Sequence, residues 1–283
     1  MNPAQNISDY YNQTLVHYKR HWKLRQQQAI HYGIWYPDTR SFAESLQNSN
    51  RKVAELLDPR PEHRLLDAGC GVGGTARFLA KHFHCQVTGI ALGSKLIEFA
   101  NNLPETQELG NRVILEERNY LATGYPDYSF DGVYAVESMC HSDHKKDFLA
   151  EAYRLLKPGG KLIVIDYFLP NRDLTTKEAS PINKWLGFWA IPNLVRKDEF
   201  EKLCYDVGFE NVIMKDYTPH ILRSAKRMYH GAILGAIPSE LYNLFHPSAS
   251  RFARKHYQSG YWQYKTLRQG LWNYQVVKIH KPK

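Results

Sequence analysis

The chain has 283 residues, 43% of them apolar and 13% aromatic, which is enough for a packed core and excludes a disordered or fibrous chain. Its four cysteines (Cys70, Cys85, Cys140, Cys204) form no CxxC pair, so reduced thiols in a cytoplasmic protein are expected, with neither a signal peptide nor an apolar run of roughly 20 residues to cross a membrane. The net charge of +9 sits wholly in residues 172–283, where 18 basic residues face 9 acidic ones. That excess reads either as a solvated basic surface or as a face for phosphate, nucleic acid or an anionic membrane.

From Ser8, a good N-cap, Tyr11, Leu15, Tyr18 and Trp22 recur at helical spacing and predict an aromatic-faced helix over residues 8–28. It either packs on the core or caps a ligand. His31–Pro37 is aromatic-rich and ends in proline, so it reads as a loop; a second helix is predicted from about Ser41 to Leu57. Leu65-Leu66 then starts a buried strand that ends at Asp67, followed by Gly69, Gly71, Gly73 and Gly74 and by a helical pattern of Ala76, Leu79, Ala80 and Phe83. Strand, glycine turn and helix set backbone N–H groups and a helix N-terminus against a nucleotide-like ligand. The dinucleotide fingerprint also requires an acid after the second strand, and none stands there.

Further strands are predicted at Gln86–Ile90, Val113–Glu117, Asp131–Val136 and Lys161–Phe168, with helices at Ser94–Asn102 and His144–Leu156 and a hard turn at Lys157-Pro-Gly-Gly160. This alternation predicts a parallel sheet covered on both faces. Its ligand crevice lies at the strand carboxyl ends, which places Asp67, Ala91, Asn119, Glu137 and Asp166 around one site. Residues 169–196, with Trp185, Phe188 and Trp189, read as an inserted cap. A helix at Lys197–Val207 stops at Gly208, and Val212–Met214 and Tyr274–Ile279 complete the sheet. Between them residues 218–272 are helical and aromatic (Tyr229, Tyr242, Phe245, Tyr257, Tyr261, Trp262, Tyr264, Trp272), the pattern of a lid.

Leu65-Leu-Asp-Ala-Gly-Cys-Gly-Val-Gly-Gly74, Phe130-Asp131 and Leu155-Leu-Lys-Pro-Gly-Gly160 together resemble a class I S-adenosylmethionine-dependent methyltransferase. Within that superfamily Tyr10-Tyr11, His31-Tyr-Gly-Ile-Trp35 and Glu137-Ser-Met-Cys-His141 are similar to the sterol, tocopherol and prenyl-diphosphate C-methyltransferases. The resemblance is strong through residue 170 and vague in the lid. It implies a Rossmann-like, doubly wound α/β sheet with N-terminal helices and a helical C-terminal cap. The corresponding division is a cofactor cap over residues 1–58, a core over 59–170, and sheet completion with an acceptor-binding lid over 171–283.

By the same resemblance Asp67, Ala68, Gly69, Cys70, Gly71 and Gly73 hold the methionine part of the cofactor. Ala91 and Leu92 flank the ribose, Asn119 and Tyr120 the adenine, and Val136 lies under the sulfonium with Tyr11 and Tyr32 closing over it. Two departures from the superfamily stand out: Ala91 replaces the acid that meets the ribose hydroxyls, and Asn119 replaces the Asp that meets the adenine amine.

Methyl transfer is an in-line displacement that needs an acceptor held at near-attack distance in a dry chamber, which suits aromatic walls. Methylation of an alkene carbon leaves a carbocation and a proton for a carboxylate to remove; a phenol or amine acceptor needs a base. Glu137, behind the apolar Val133, Ala135 and Val136, is one candidate base, the other reading being a carboxylate bonded to cofactor or backbone. His141 is the second candidate, or else a histidine held by its loop. His141, Asp143 and His144 are too close together for a metal site. Arg223, Lys226 and Arg227 could meet a diphosphate or form a solvated face. The expected partner is therefore a hydrophobic, phosphorylated or unphosphorylated small molecule, acting with S-adenosylmethionine. An aromatic hydroxyl or amine acceptor is the alternative, and no nucleic-acid module is recognisable.

Overall fold

The computed structural model describes residues 3–21, 24–245 and 251–283. In chain order the elements are α1 (Pro3–His21), α2 (Leu24–Gln27), α3 (Phe42–Leu57), β1 (Arg64–Ala68), α4 (Gly74–Phe83), β2 (Gln86–Ala91) and α5 (Ser94–Asn101). There follow α6 (Pro104–Gln107), β3 (Val113–Glu117), β4 (Phe130–Val136), α7 (Lys145–Leu155), β5 (Leu156–Phe168), α8 (Thr176–Phe188) and α9 (Lys197–Val207). The chain closes with β6 (Glu210–Asp216), α10 (Thr218–Phe245), α11 (Arg251–Arg268) and β7 (Asn273–His280).

The strands form one seven-stranded sheet in the order β3-β2-β1-β4-β5-β7-β6. The first five run parallel, and β7 enters antiparallel between β5 and β6. The order reverses between β1 and β4, so the crevice at their carboxyl ends is the topological switch point at which such sheets bind ligands. Burial explains the pattern of β5. Ile163, Ile165 and Tyr167 enter the core on one face, Leu162, Val164 and Phe168 the core on the other, so the strand is apolar on both sides.

Local signals set several boundaries. Ser41 caps α3, its hydroxyl oxygen accepting from the Glu44 N–H at 3.1 Å. Thr175 and Glu178 form a capping box at the start of α8. Gly208 ends α9 at φ +108°.

Three expectations need correction. Helix α1 begins at Pro3 and Ser8 lies inside it, where its hydroxyl accepts from the Asn12 amide at 3.4 Å. The continuous helix over 8–28 is instead α1 and the short α2; Trp22 and the Tyr18 ring lie outside what the structure describes. Lys157–Gly160 is not a free turn, because the Gly159 N–H donates to the Pro282 carbonyl at 3.0 Å and the Lys281 N–H to the Gly160 carbonyl at 2.9 Å, which draws the segment into β5. The periodicity also missed the one-turn helix α6, whose four residues are too short to show a helical repeat.

Candidate active site

Strand β1 delivers Asp67 and Ala68 to the switch point, and the backbone then turns through three left-handed glycines, Gly69 (φ +95°), Gly71 (φ +54°) and Gly73 (φ +73°). The Gly69 and Cys70 N–H groups both donate to the Ile90 carbonyl, at 2.8 and 3.0 Å, which ties the turn to β2. A Cβ on Gly69 would fall 2.3 Å from the Ser138 Cβ. At Gly71 the constraint differs: the nearest atom to an added Cβ is the Ile30 Cδ1 at 3.8 Å, so the space that glycine keeps clear belongs to the cleft. A Cβ on Gly74 would lie 2.0 Å from the Gln28 carbonyl oxygen. The N-terminal segment thus rests directly on the start of α4.

Of the residues expected at the cofactor site, Tyr11, Asp67, Gly69, Cys70, Gly71, Ala91, Leu92, Tyr120 and Val136 line this one cleft, and so do Glu137 and His141. Four others do not. Ala68 is buried beneath the turn, and a Cβ on Gly73 would meet the Leu115 side chain rather than the cleft. The Asn119 amide oxygen accepts from the Leu121 N–H at 2.9 Å. Tyr32 presents its backbone N–H to Glu137 while its ring joins an aromatic cluster. Asp166, placed at the crevice by strand position alone, is fully buried and accepts from the N–H groups of Cys140 and Tyr167 at 2.9 and 2.8 Å. It braces the loop that carries His141.

The cleft also has walls that periodicity did not reveal: Ile7 from α1, Gln28–His31, Val72, Thr75 and Ser138. One signal was available. A second glycine beside Gly73 has no role in the turn itself, and its presence implies that something packs against it.

Asp67 is 4% exposed at the cleft, and burial raises its carboxyl to about 7. A buried acid of this kind calls for a cationic partner. The ammonium group of a bound amino-acid moiety would meet it, so the glycine cradle and Asp67 fit the methionine end of S-adenosylmethionine.

Glu137 follows β4 in the left-handed region (φ +50°), uncommon for a residue with a side chain. Its N–H donates to the Ile165 carbonyl at 2.8 Å, which holds the conformation. One carboxyl oxygen, Oε1, accepts from the Tyr32 N–H and the Tyr274 hydroxyl, each at 2.7 Å, and Oε2 accepts from the Tyr167 hydroxyl. Despite three donors, burial dominates and pushes the carboxyl up to about 8. Behind it the Tyr167 ring lies 5.3–6.3 Å, centroid to centroid, from Tyr32, Tyr274, Trp185, Trp189 and Trp272. Tyr167 and Tyr274 sit opposite each other in the β5–β7 register, which brings both hydroxyls to one carboxylate.

His141 is a poorer base. Its Nδ1 faces the Ala190 carbonyl at 3.4 Å; a carbonyl only accepts, so Nδ1 carries the proton and Nε2 accepts from the Tyr11 hydroxyl at 3.1 Å. Burial, with the nearby Lys145 charge, lowers its pKa to about 4. The Lys145 ammonium donates to the carbonyls of Cys140, Ser142 and Asn193 and so pins the loop. Among the described residues no group of His, Cys, Asp and Glu could hold a metal ion.

Known proteins share this chain's sequence pattern and fold. Residues 66–164 match the methyltransferase domain family. Over 206 residues the chain is 32% identical to 24-methylenesterol C-methyltransferase 2 of Oryza sativa subsp. japonica, covering 72% of this chain and 55% of that protein. Over 193 residues it is 34% identical to 27-O-demethylrifamycin SV methyltransferase of Amycolatopsis mediterranei, covering 68% and 70%. Among solved structures, geranyl diphosphate C-methyltransferase from Streptomyces coelicolor A3(2) superposes with a TM-score of 0.76 at 18% identity, covering 99% of this chain and 98% of that one. The cyclase SpnF superposes equally well at 22% identity, with 99% and 96% coverage, so the architecture alone does not specify a reaction.

Proposed function

Because the chain belongs to the class I S-adenosylmethionine-dependent methyltransferases, we propose that its acceptor is a hydrophobic isoprenoid, methylated at carbon. The observation that supports this is Glu137, a cleft-lining carboxyl enclosed by tyrosines and backed by tryptophans. S-adenosylmethionine supplies the electrophilic methyl group. An acceptor alkene would give its π electrons to that methyl, the C–C bond forming as the S–CH3 bond breaks and S-adenosylhomocysteine leaves, and positive charge would develop on the neighbouring carbon. Tyr11, which lines the cleft, and the Glu137 carboxylate are suited to stabilise that charge. Glu137 in its carboxylate form then takes the adjacent C–H proton and the alkene is restored. A cation in the cleft would favour that carboxylate form, against the burial that raises its pKa.

The named relatives act on both kinds of acceptor: a sterol carbon in rice and, in Amycolatopsis, an O-demethylated rifamycin. Oxygen methylation is accordingly the second reading, with Glu137 taking a hydroxyl proton. The discriminating experiment incubates the protein and methyl-labelled S-adenosylmethionine with fractionated cell extract, then partitions product between organic solvent and water before and after phosphatase. Label entering solvent directly and resisting cleavage by strong acid supports a sterol- or quinol-like carbon acceptor; label that moves only after phosphatase supports a prenyl diphosphate. Label released as methyl halide from an ether supports the oxygen reading. Label confined to small polar products would refute an apolar acceptor.

A further inference from the structure

We infer that the exposed face of α10 is a docking surface for an anionic lipid membrane. Along this 28-residue helix Arg223, Arg227, His230, Leu234, Ile237, Leu241 and Leu244 follow one another at intervals of four and three, so they lie in one stripe. All seven are exposed, as is Lys226 beside them. The stripe divides in two: its first half is basic and its second half apolar, with Leu234 79%, Ile237 74% and Leu244 73% exposed. Single exposed apolar residues are ordinary, but four consecutive members of one stripe are not. The opposite side of the helix is already used, since Ala225 and Ala232 are buried and a Cβ on Gly260 of α11 would touch Met228 at 3.0 Å.

Charge selects the occupant. Within α10 the one acid is Glu240, bordering the apolar half three residues after Ile237, where its carboxylate accepts from the Tyr257 hydroxyl at 2.6 Å, against the three bases Arg223, Lys226 and Arg227. A second copy of the chain would bring the same positive field against itself. An anionic lipid surface matches both halves, headgroups meeting Lys226 and its neighbours while the leucines enter the interface. The attachment lies on the surface, for among the described residues no helix is long and apolar enough to cross a membrane. This inference is independent of the acceptor's identity and needs no turnover to be tested.

The full chain should be sedimented with vesicles of phosphatidylcholine alone and of phosphatidylcholine mixed with phosphatidylglycerol, at about 0.1 M and about 1 M salt, where screening lengths are roughly 10 and 3 Å. Binding to the mixed vesicles at low salt, reduced at high salt, is expected. The doubly exposed L234S/I237S variant, which removes no buried contact, should bind at least tenfold more weakly, and K226E about fivefold more weakly, on the mixed vesicles only. Wild-type protein that ignores both vesicle types, or L234S/I237S that binds as wild type does, would overturn the proposal. So would light scattering that shows a dimer dissociated by L234S/I237S, which would assign the stripe to a second copy.

Discussion

Glu137→Gln separates chemistry from architecture, because the amide has the carboxylate's shape but not its proton chemistry. Its carbonyl oxygen can accept from the Tyr32 N–H and the Tyr274 hydroxyl as Oε1 does now, and its NH2 can donate to the Tyr167 oxygen. The stability effect has a definite sign. Folding raises the carboxyl from 4.5 to about 8, so the folded protein binds this proton more tightly than the unfolded chain does. Its contribution is fully present below pH 4.5 and is lost as pH rises to about 8. By pH 7 about 3 kcal/mol of that contribution has been lost, and the partial exposure of Glu137 to the cleft reduces this to ~2 kcal/mol. The glutamine variant has nothing to lose. Its melting temperature, measured by calorimetry across pH 4.5–8, should match wild type at the acid end and exceed it by about 5 °C near neutrality. Turnover should fall by about 10²–10⁴ if Glu137 removes the proton, while S-adenosylmethionine still binds in titration calorimetry. A variant that melts in parallel with wild type at every pH, or that turns over normally, would refute the assignment.

Gly71→Val places a side chain in the left-handed turn where only Ile30 stands near, so cofactor affinity should fall at least about 100-fold, as read by titration calorimetry, with unfolding shifted by about 1–3 kcal/mol for the strained backbone. Gly74→Ala sets a Cβ 2.0 Å from the Gln28 carbonyl; the N-terminal segment should lift off and expose Gln28–His31 to limited proteolysis. Asp67→Asn removes a buried acid raised to about 7: below pH 4 it should leave stability unchanged, near pH 7 it should raise the melting temperature, and it should weaken cofactor binding about 10- to 100-fold. In a pH profile of kcat/KM, His141, lowered to about 4, should give no inflection near 6.5, and the rise towards pH 8 should belong to Glu137. An inflection near 6.5 that disappears in His141→Gln would make His141 the base.

The parallel strands were legible because each is a short apolar run between turn residues, and the glycine turn because glycine alone tolerates its dihedral angles. What stayed hidden depended on pairing across long separations. Lys157–Gly160 has the composition of a turn, yet it is zipped to Lys281 and Pro282, more than a hundred residues on. Asp166 sits at a strand end in sequence, but its side chain faces the loop beneath the crevice. Likewise the aromatic density of the C-terminal region suggested a lid, while only the β5–β7 register explains why Tyr167 and Tyr274 converge on Glu137.

Two unfavourable features meet at Glu137: a left-handed backbone and a carboxyl held where its charge is poorly solvated. A glycine there would relieve the first and a glutamine the second, so stability alone would select neither feature. Both become intelligible if the carboxylate must stand at the inner end of a dry cleft. The positive φ, fixed by the bond from its N–H to Ile165, carries the side chain off the strand and between Tyr32, Tyr167 and Tyr274. Three donors then fix the carboxyl in one orientation and leave its basicity high. A carboxylate in water would be a weaker base by several pH units, and one without the tyrosines would be free to turn away from the cleft. On the proposed function, the local instability at Glu137 would follow from holding a strong, oriented base beside the place where a cation forms.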